Sequence, residues 1–171
     1  MLPDIYKLST GETLYISFMR EIKNVRHLKK KIIKGEIQCC CITPTMILDA
    51  LLIAVAADKA AIAHSRNKMI TKNVYTEILY NLSPSKHITK SLKMFGGQDD
   101  DSDLIIAVIG DEERFRSVLA QVDGTEESLK ELKNLADSKT IVKEYLVTSP
   151  EVDNTDLIKS LITRIAAKSV L

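Results

Sequence analysis

The chain reads as an α+β protein: an antiparallel or mixed β-sheet packed with a helical lobe of about seven to eight helices. Three observations predict this. Asp4–Ser9 and Thr13–Met19 flank Thr10-Gly11-Glu12, the pattern of two strands joined by a hairpin turn. Leu104–Ile109 is an apolar, β-branched run closed by Gly110-Asp111, as expected of a strand at a sheet centre. Around these segments, helical patterns follow one another instead of alternating with strands, which argues against repeated βαβ units. With 171 residues, 45% of them hydrophobic and none of them Trp, a single domain over 1–171 with mainly aliphatic packing is expected.

The elements follow in order. In the second strand, Leu14, Ile16 and Phe18 alternate with Tyr15, Ser17 and Met19, the period of two of a sheet. A helix opens at Lys23 or Asn24, carries Val25, Leu28, Ile32 and Ile33 as its apolar stripe with lysines outside, and ends at Gly35. Ile37–Ile42 is a third strand. Thr43-Pro44 starts the next helix, since proline is tolerated in a first turn. From Ile47 to Ala63 only Asp49, Asp58 and Lys59 interrupt the apolar residues, which describes a helix buried on all sides.

After a turn at 65–70, Val74–Leu82 forms a short helix capped by Asn73 or Thr71. Ser83-Pro84 reads as the N-cap and first position of another helix, with Ile88, Leu92 and Phe95 inward and Gly96-Gly97 as its stop. Beyond the 104–109 strand, Glu112–Leu119 is helical and a short strand ends at Asp123-Gly124. Leu129, Leu132 and Leu135 mark one more helix. The segment Ile141–Val147 fits helix or strand and is assigned to a helix beginning near Asp137. Asp153-Asn154-Thr155-Asp156 opens the final helix with acids at its positive end. Leu157, Ile158, Leu161, Ile162 and Ile165 are its apolar double row.

Composition excludes several classes. No run reaches the roughly 20 apolar residues of a membrane helix. Asp4 and Lys7 interrupt the N-terminus before any signal-like apolar stretch, so a cytoplasmic and nuclear protein is expected. Cys39-Cys40-Cys41 are consecutive, with no second pair to complete a zinc site, and read as small buried hydrophobes. Asp99, Asp100, Asp101 and Asp103 lack EF-hand spacing and read as a solvated loop. No phosphate-binding glycine loop, nucleophile elbow or metalloprotease motif is present, and His27, His64 and His87 share no ligand spacing. No catalytic residue, metal or cofactor is therefore assigned.

The net charge of +1 conceals a sorting: residues 1–93 carry +8 and residues 94–171 carry −7. Two readings stand, a polyanion-facing side or ordinary solvated helix faces. Thr71-Lys72 and Ser83-Pro84 sit at expected helix starts, where unpaired amides attract phosphate. Lys59, Lys72, Lys86, His87 and Lys90 would share that region if the helices pair as a hairpin, with Tyr75 and Tyr80 as stacking surfaces for unpaired bases.

Several motifs lie in the order of one known family. They are Ala56-Ala57-Asp58-Lys59-Ala60, then Lys68-Met69-Ile70-Thr71-Lys72, then Glu77-Ile78 and Leu82-Ser83-Pro84, then Ile88, Leu92 and Phe95-Gly96. The pattern resembles the TPRKB family, the kinase-binding (PRPK-binding) small subunit of the KEOPS/EKC tRNA threonylcarbamoyladenosine complex. The resemblance runs from about residue 22 to 171. It is sharpest over 42–96 and 164–171 and weak over 97–140. Asp58 stands where the family usually has asparagine, and Lys72 where it usually has arginine, which keeps the charge but loses the planar fork of donors.

The resemblance implies a non-catalytic subunit. It implies binding to the small atypical kinase/ATPase, contact with the other KEOPS subunits through it, and capture of the single-stranded 3′ CCA end of tRNA. On that basis the tRNA end is assigned to Lys59, Thr71, Lys72, Glu77, Asn81, Ser83 and Lys90. The kinase is assigned to Leu157, Ile158, Leu161, Ile162 and Ile165, a stripe that a helix packing on its own core would equally show. The alternatives are a free-standing RNA-binding module and a small metabolic enzyme with a deep polar pocket.

Overall fold

A computed structural model describes residues 2–148 and 154–170, with side chains left out at 154–156. The N-terminal hairpin forms as the alternation predicts. Strand β1 (Asp4–Lys7) pairs antiparallel with β2 (Thr13–Arg20), with Asp4 opposite Ile16. Strand β4 (Leu104–Ile109) lies between β2 and β3 (Cys40–Ile42), antiparallel to both. A short β5 (Thr125–Glu127) pairs with β2 at Phe18–Arg20, beyond the stretch used by β1. The sheet is thus wholly antiparallel, in the order β1-β2-β4-β3 with β5 beside β2. The short strand comes just after Asp123-Gly124, not before it.

The period of two divides the core. Leu14, Ile16, Phe18, Cys40, Ile42, Ile105, Ala107 and Ile109 face one hydrophobic cluster. Met19, Leu104, Ile106 and Val108 face the other. Helices cover both sheet faces, in keeping with the expected α+β sheet packed with helices. The first cluster takes in α2 (Ala50–Ser65), α3 (Val74–Leu82), α7 (Ser138–Glu144) and α8 (Asn154–Ala167). The second takes in α1 (Val25–Ile33) and α5 (Glu112–Leu119). Two small helices complete the described set, α4 (Ile88–Phe95) and α6 (Leu132–Leu135). Every residue of β4 is buried, as a strand covered on both faces requires.

Four sequence expectations change for local physical reasons. Ile33 is 82% exposed: at about 100° per residue it lies well off the face centred on Val25, Leu28 and Ile32. Pro44 opens only a 3₁₀ turn, Pro44–Met46. The chain then runs extended through Ile47, and Asp49 begins α2 by accepting from the Leu51 amide at 2.8 Å. Ser83-Pro84 does not open a helix. The Ser83 amide donates to Tyr80 and closes α3, and α4 starts at Ile88 behind His87, whose Nδ1 accepts from the Lys90 amide at 3.3 Å. Finally, Ile88 is 39% exposed, while Phe95 and the Ser91 hydroxyl are fully buried. That hydroxyl ties the first turn of α4 to the Ser85 and His87 carbonyls at 3.0 and 2.9 Å.

The third strand covers only Cys40–Ile42 of the expected Ile37–Ile42, and the Leu129–Leu135 helix divides into a 3₁₀ turn at Leu129–Glu131 and the four-residue α6. Asp137 caps α7 by accepting from the Thr140 amide at 3.2 Å, which settles the 141–147 ambiguity as helix. After α4, Gly96 bridges to Ile42, and the Gly97 amide donates to Cys41 at 3.1 Å, so this segment partly covers the β3 edge. The acidic opening of α8 at Asp153-Asn154-Thr155-Asp156 lies outside the described side chains.

Candidate functional site

Helices α2 and α3 pack as the hairpin the sequence suggested. The Asn81 side-chain amide donates to the Ala56 carbonyl at 3.1 Å, pinning their facing turns. The entry to α3 is held by one buried acid. Glu77 accepts from the Ile70 amide at 3.0 and 3.1 Å, from the Thr71 amide at 2.8 Å and from the Thr71 hydroxyl at 2.6 Å. Asn73 is the cap: its Oδ1 accepts from the Tyr75 and Thr76 amides at 3.0 Å each, and Thr76 returns the bond to Asn73. The N-terminal amides of α3 are therefore bonded to their own cap. Lys72 stands exposed beside this loop.

Two lysines tie this hairpin to the end of α8. Lys59, half-buried, donates from Nζ to the Ile165 carbonyl at 2.7 Å. Burial lowers its pKa, and the Glu77 charge works against that shift. Lys168 is only 5% exposed. Its Nζ donates to the Tyr80 carbonyl and lies 3.5 Å from the centroid of the Tyr80 ring, a cation–π contact. Burial, followed by the Lys59 charge, pulls Lys168 down to about 8. Tyr145 donates its hydroxyl to the Leu82 carbonyl and is buried, which pushes its own pKa up.

The seven residues assigned to RNA thus separate into two groups. Thr71, Lys72 and Glu77 gather at the N-terminal end of α3, and Ser83 and Lys90 lie past its C-terminal end. The helix between is about 13 Å long, nine residues at 1.5 Å each. Lys59 and Asn81 join α2 to its neighbours between these ends. Of the seven, Lys72 and Lys90 are exposed. Neither tyrosine offers the open ring expected for base stacking. Tyr80 is 6% exposed with Lys168 over its face, and the Tyr75 hydroxyl is engaged by the Ile109 amide and carbonyl at 3.3 and 3.4 Å.

At the C-terminal end of α3 a cleft of about 270 Å³ opens between the 83–87 connection, the end of α7 and α8. Among the described residues four cations line it, Lys86, Lys90, Arg164 and Lys168, with one acid, Glu144. Its apolar wall is Pro84, Tyr145 and Leu146. Leu146 is 81% exposed and has φ 54°, a strained value for a branched residue. Arg164 is oriented by Ser160 and by the Leu146 carbonyl. The sequence reading did not connect Arg164, Lys168 or Glu144 with Lys90, because no local pattern relates residues so far apart in the chain. A larger, shallower hollow of about 440 Å³ lies on the other sheet face, between Gly35–Gln38 and α5. Its charges are mixed, Glu36, Asp111 and Glu113 against Arg114.

On α8, Leu157, Leu161 and Ile165 are buried at 2%, 0% and 1% exposure and pack into the first core cluster. Ile158 and Ile162 are half-buried. Ile162 packs against the edge of the same cluster, so the two rows differ in how far they are covered. Cys39 and Cys40 are buried, and the Cys39 and Cys41 sulfurs lie 4.0 Å apart. Among the described residues no three His, Cys, Asp or Glu side chains gather as a metal site, and no helix is long and apolar enough to cross a membrane.

Asp58 accepts from the Ser9 amide at 2.6 Å and the Ser9 hydroxyl at 2.7 Å. It thereby fastens the N-terminal hairpin to α2.

Comparison with known proteins agrees with the motifs. A family model described as kinase binding protein CGI-121 matches residues 19–169. The EKC/KEOPS complex subunit TPRKB of Danio rerio is 32% identical over 154 residues, 88% of each chain. The EKC/KEOPS complex subunit CGI121 of Yarrowia lipolytica is 28% identical over 138 residues, 78% of this chain and 79% of its own. That of Eremothecium gossypii is 28% identical over 141 residues, 77% and 78%. With the family model spanning all but the first strand, part of the second and the extreme C-terminus, the chain belongs to the CGI-121 family of kinase-binding proteins.

Proposed function

We propose that this protein is a non-catalytic subunit of a KEOPS/EKC complex, working in the cytoplasm and nucleus. It binds the small atypical kinase/ATPase of that complex and supports threonylcarbamoyladenosine formation by holding the single-stranded 3′ CCA end of tRNA. The observation that carries the RNA part is the gathering of Lys86, Lys90, Arg164 and Lys168 around one cleft, where Glu144 is the acid among the described lining residues. Cations gathered around an apolar wall suit an anionic strand whose bases need cover. Lys72, exposed at the far end of α3, extends the basic track along the strand. The relatives named as EKC/KEOPS complex subunits support the complex, and the family description supports the kinase as direct partner. The kinase surface is the half-buried row of α8, Ile158 and Ile162, with Leu157, Leu161 and Ile165 holding the helix in place behind it.

Two measurements test this. Affinity purification of the tagged chain from its own cell extract recovers a small kinase-like ATPase with other KEOPS subunits; recovery of none in mild salt removes the complex. In titrations of tRNA at several salt concentrations, Lys72→Glu and Lys90→Glu each weaken binding and flatten the slope of log affinity against log salt by about one. Unchanged affinity for both variants, or equal affinity for tRNA without its CCA end, removes the end-binding role.

A further inference from the structure

Helix α1 lies on the sheet face opposite the cleft and carries a basic stripe of its own. Residues 20–34 contain seven lysines and arginines, and the structure divides them. Three are engaged locally: Arg20 with Asp103 at 3.4 Å, Lys29 with Asp99 at 3.1 Å, and Lys31 with the Gln121 side chain at 3.2 Å. The other four, Lys23, Arg26, Lys30 and Lys34, are exposed, and among the described residues none has a carboxylate at ion-pair distance. Spacings of four put Arg26, Lys30 and the C-cap Lys34 on one face, opposite the buried Val25 and Leu28, while Lys23 lies just before the Asn24 N-cap. Asp99 and Asp103 are taken up by Lys29 and Arg20, and no acid lies within α1 itself.

We propose that the outer face of α1 is a second RNA contact, one that grips the phosphate backbone without reading sequence. A row of cations at successive helical turns complements a row of phosphates, and such contacts position RNA without selecting bases. The inference rests on the reading that this protein binds tRNA. The single-stranded end occupies the cleft, and duplex phosphates occupy α1 on the other side of the sheet.

The test uses the full chain and two RNAs, intact tRNA and the same tRNA lacking its unpaired 3′ tail, titrated over a range of salt. Wild type binds the tail-less RNA weakly with a steep salt dependence. The variant R26Q/K30Q/K34Q loses on the order of tenfold in affinity for both RNAs, and its slope falls by about two to three. R26K/K30R/K34R keeps the wild-type slope. Lys72→Glu and Lys90→Glu alter binding only of the intact RNA, so failure at the tail and failure at α1 are read separately. Wild-type affinity and slope in the triple variant overturn the inference, as does triple-variant loss of a co-purifying acidic protein with RNA binding intact.

Discussion

Glu77 and Lys168 carry the residue-scale logic of the site. Glu77 is 3% exposed and accepts from two amides and a hydroxyl of the Ile70–Thr71 loop. Removing it leaves those partly exposed donors without their acceptor, so Glu77→Ala costs about 1–2 kcal/mol in urea unfolding. The same change speeds amide exchange at Ile70 and Thr71. Retention of wild-type stability would assign the loop to other contacts. Lys168 has a pH signature. Its folded pKa, about 8, lies below that of an unfolded lysine, so the folded state binds fewer protons between the two values. The penalty is complete below about pH 8 and fades as pH rises toward about 10.4. Wild type should therefore gain on the order of 1 kcal/mol relative to Lys168→Met between about pH 7.5 and 9.5, after allowance for screening. A pH-independent difference would place the amine in water.

At the scale of the element, α8 is the instructive case. Its apolar residues form one stripe in sequence, and a helix wheel cannot say which row meets its own core and which meets a partner. The burial of Leu157, Leu161 and Ile165 against α2 divides them. Leu161→Ala should cost about 2–5 kcal/mol in urea unfolding. Ile158→Arg should stay within about 1 kcal/mol of wild type and still lose the kinase in a pull-down. Unfolding of the Ile158 variant would move that residue into the core. The connection between α3 and α4 shows the converse ambiguity. Ser-Pro is a helix-start signal, but a serine that ends one helix looks the same in sequence, and here the Ser83 amide is already bonded to Tyr80.

For the whole molecule, the sheet is a wall between two cores, and β4, paired with β2 and β3, is buried at every residue. Amide exchange should be slowest in Leu104–Ile109; faster exchange there than in β2 would mean that one of the two helical layers opens readily. The sequence by itself determined the hairpin, the buried α2, the central β4, the helix after Asn73 and the family motifs. Each of these rests on periodicity, capping chemistry or composition, which act within a few residues. Only the tertiary structure decided that helices cover both faces, that Ile33 faces water, and that Lys59 and Lys168 hold α8 to the hairpin. It alone brought Arg164 and Lys168 to Lys86 and Lys90. Those outcomes depend on hydrogen bonds between residues up to 106 positions apart, and local pattern carries no record of which distant carbonyl an amine will meet.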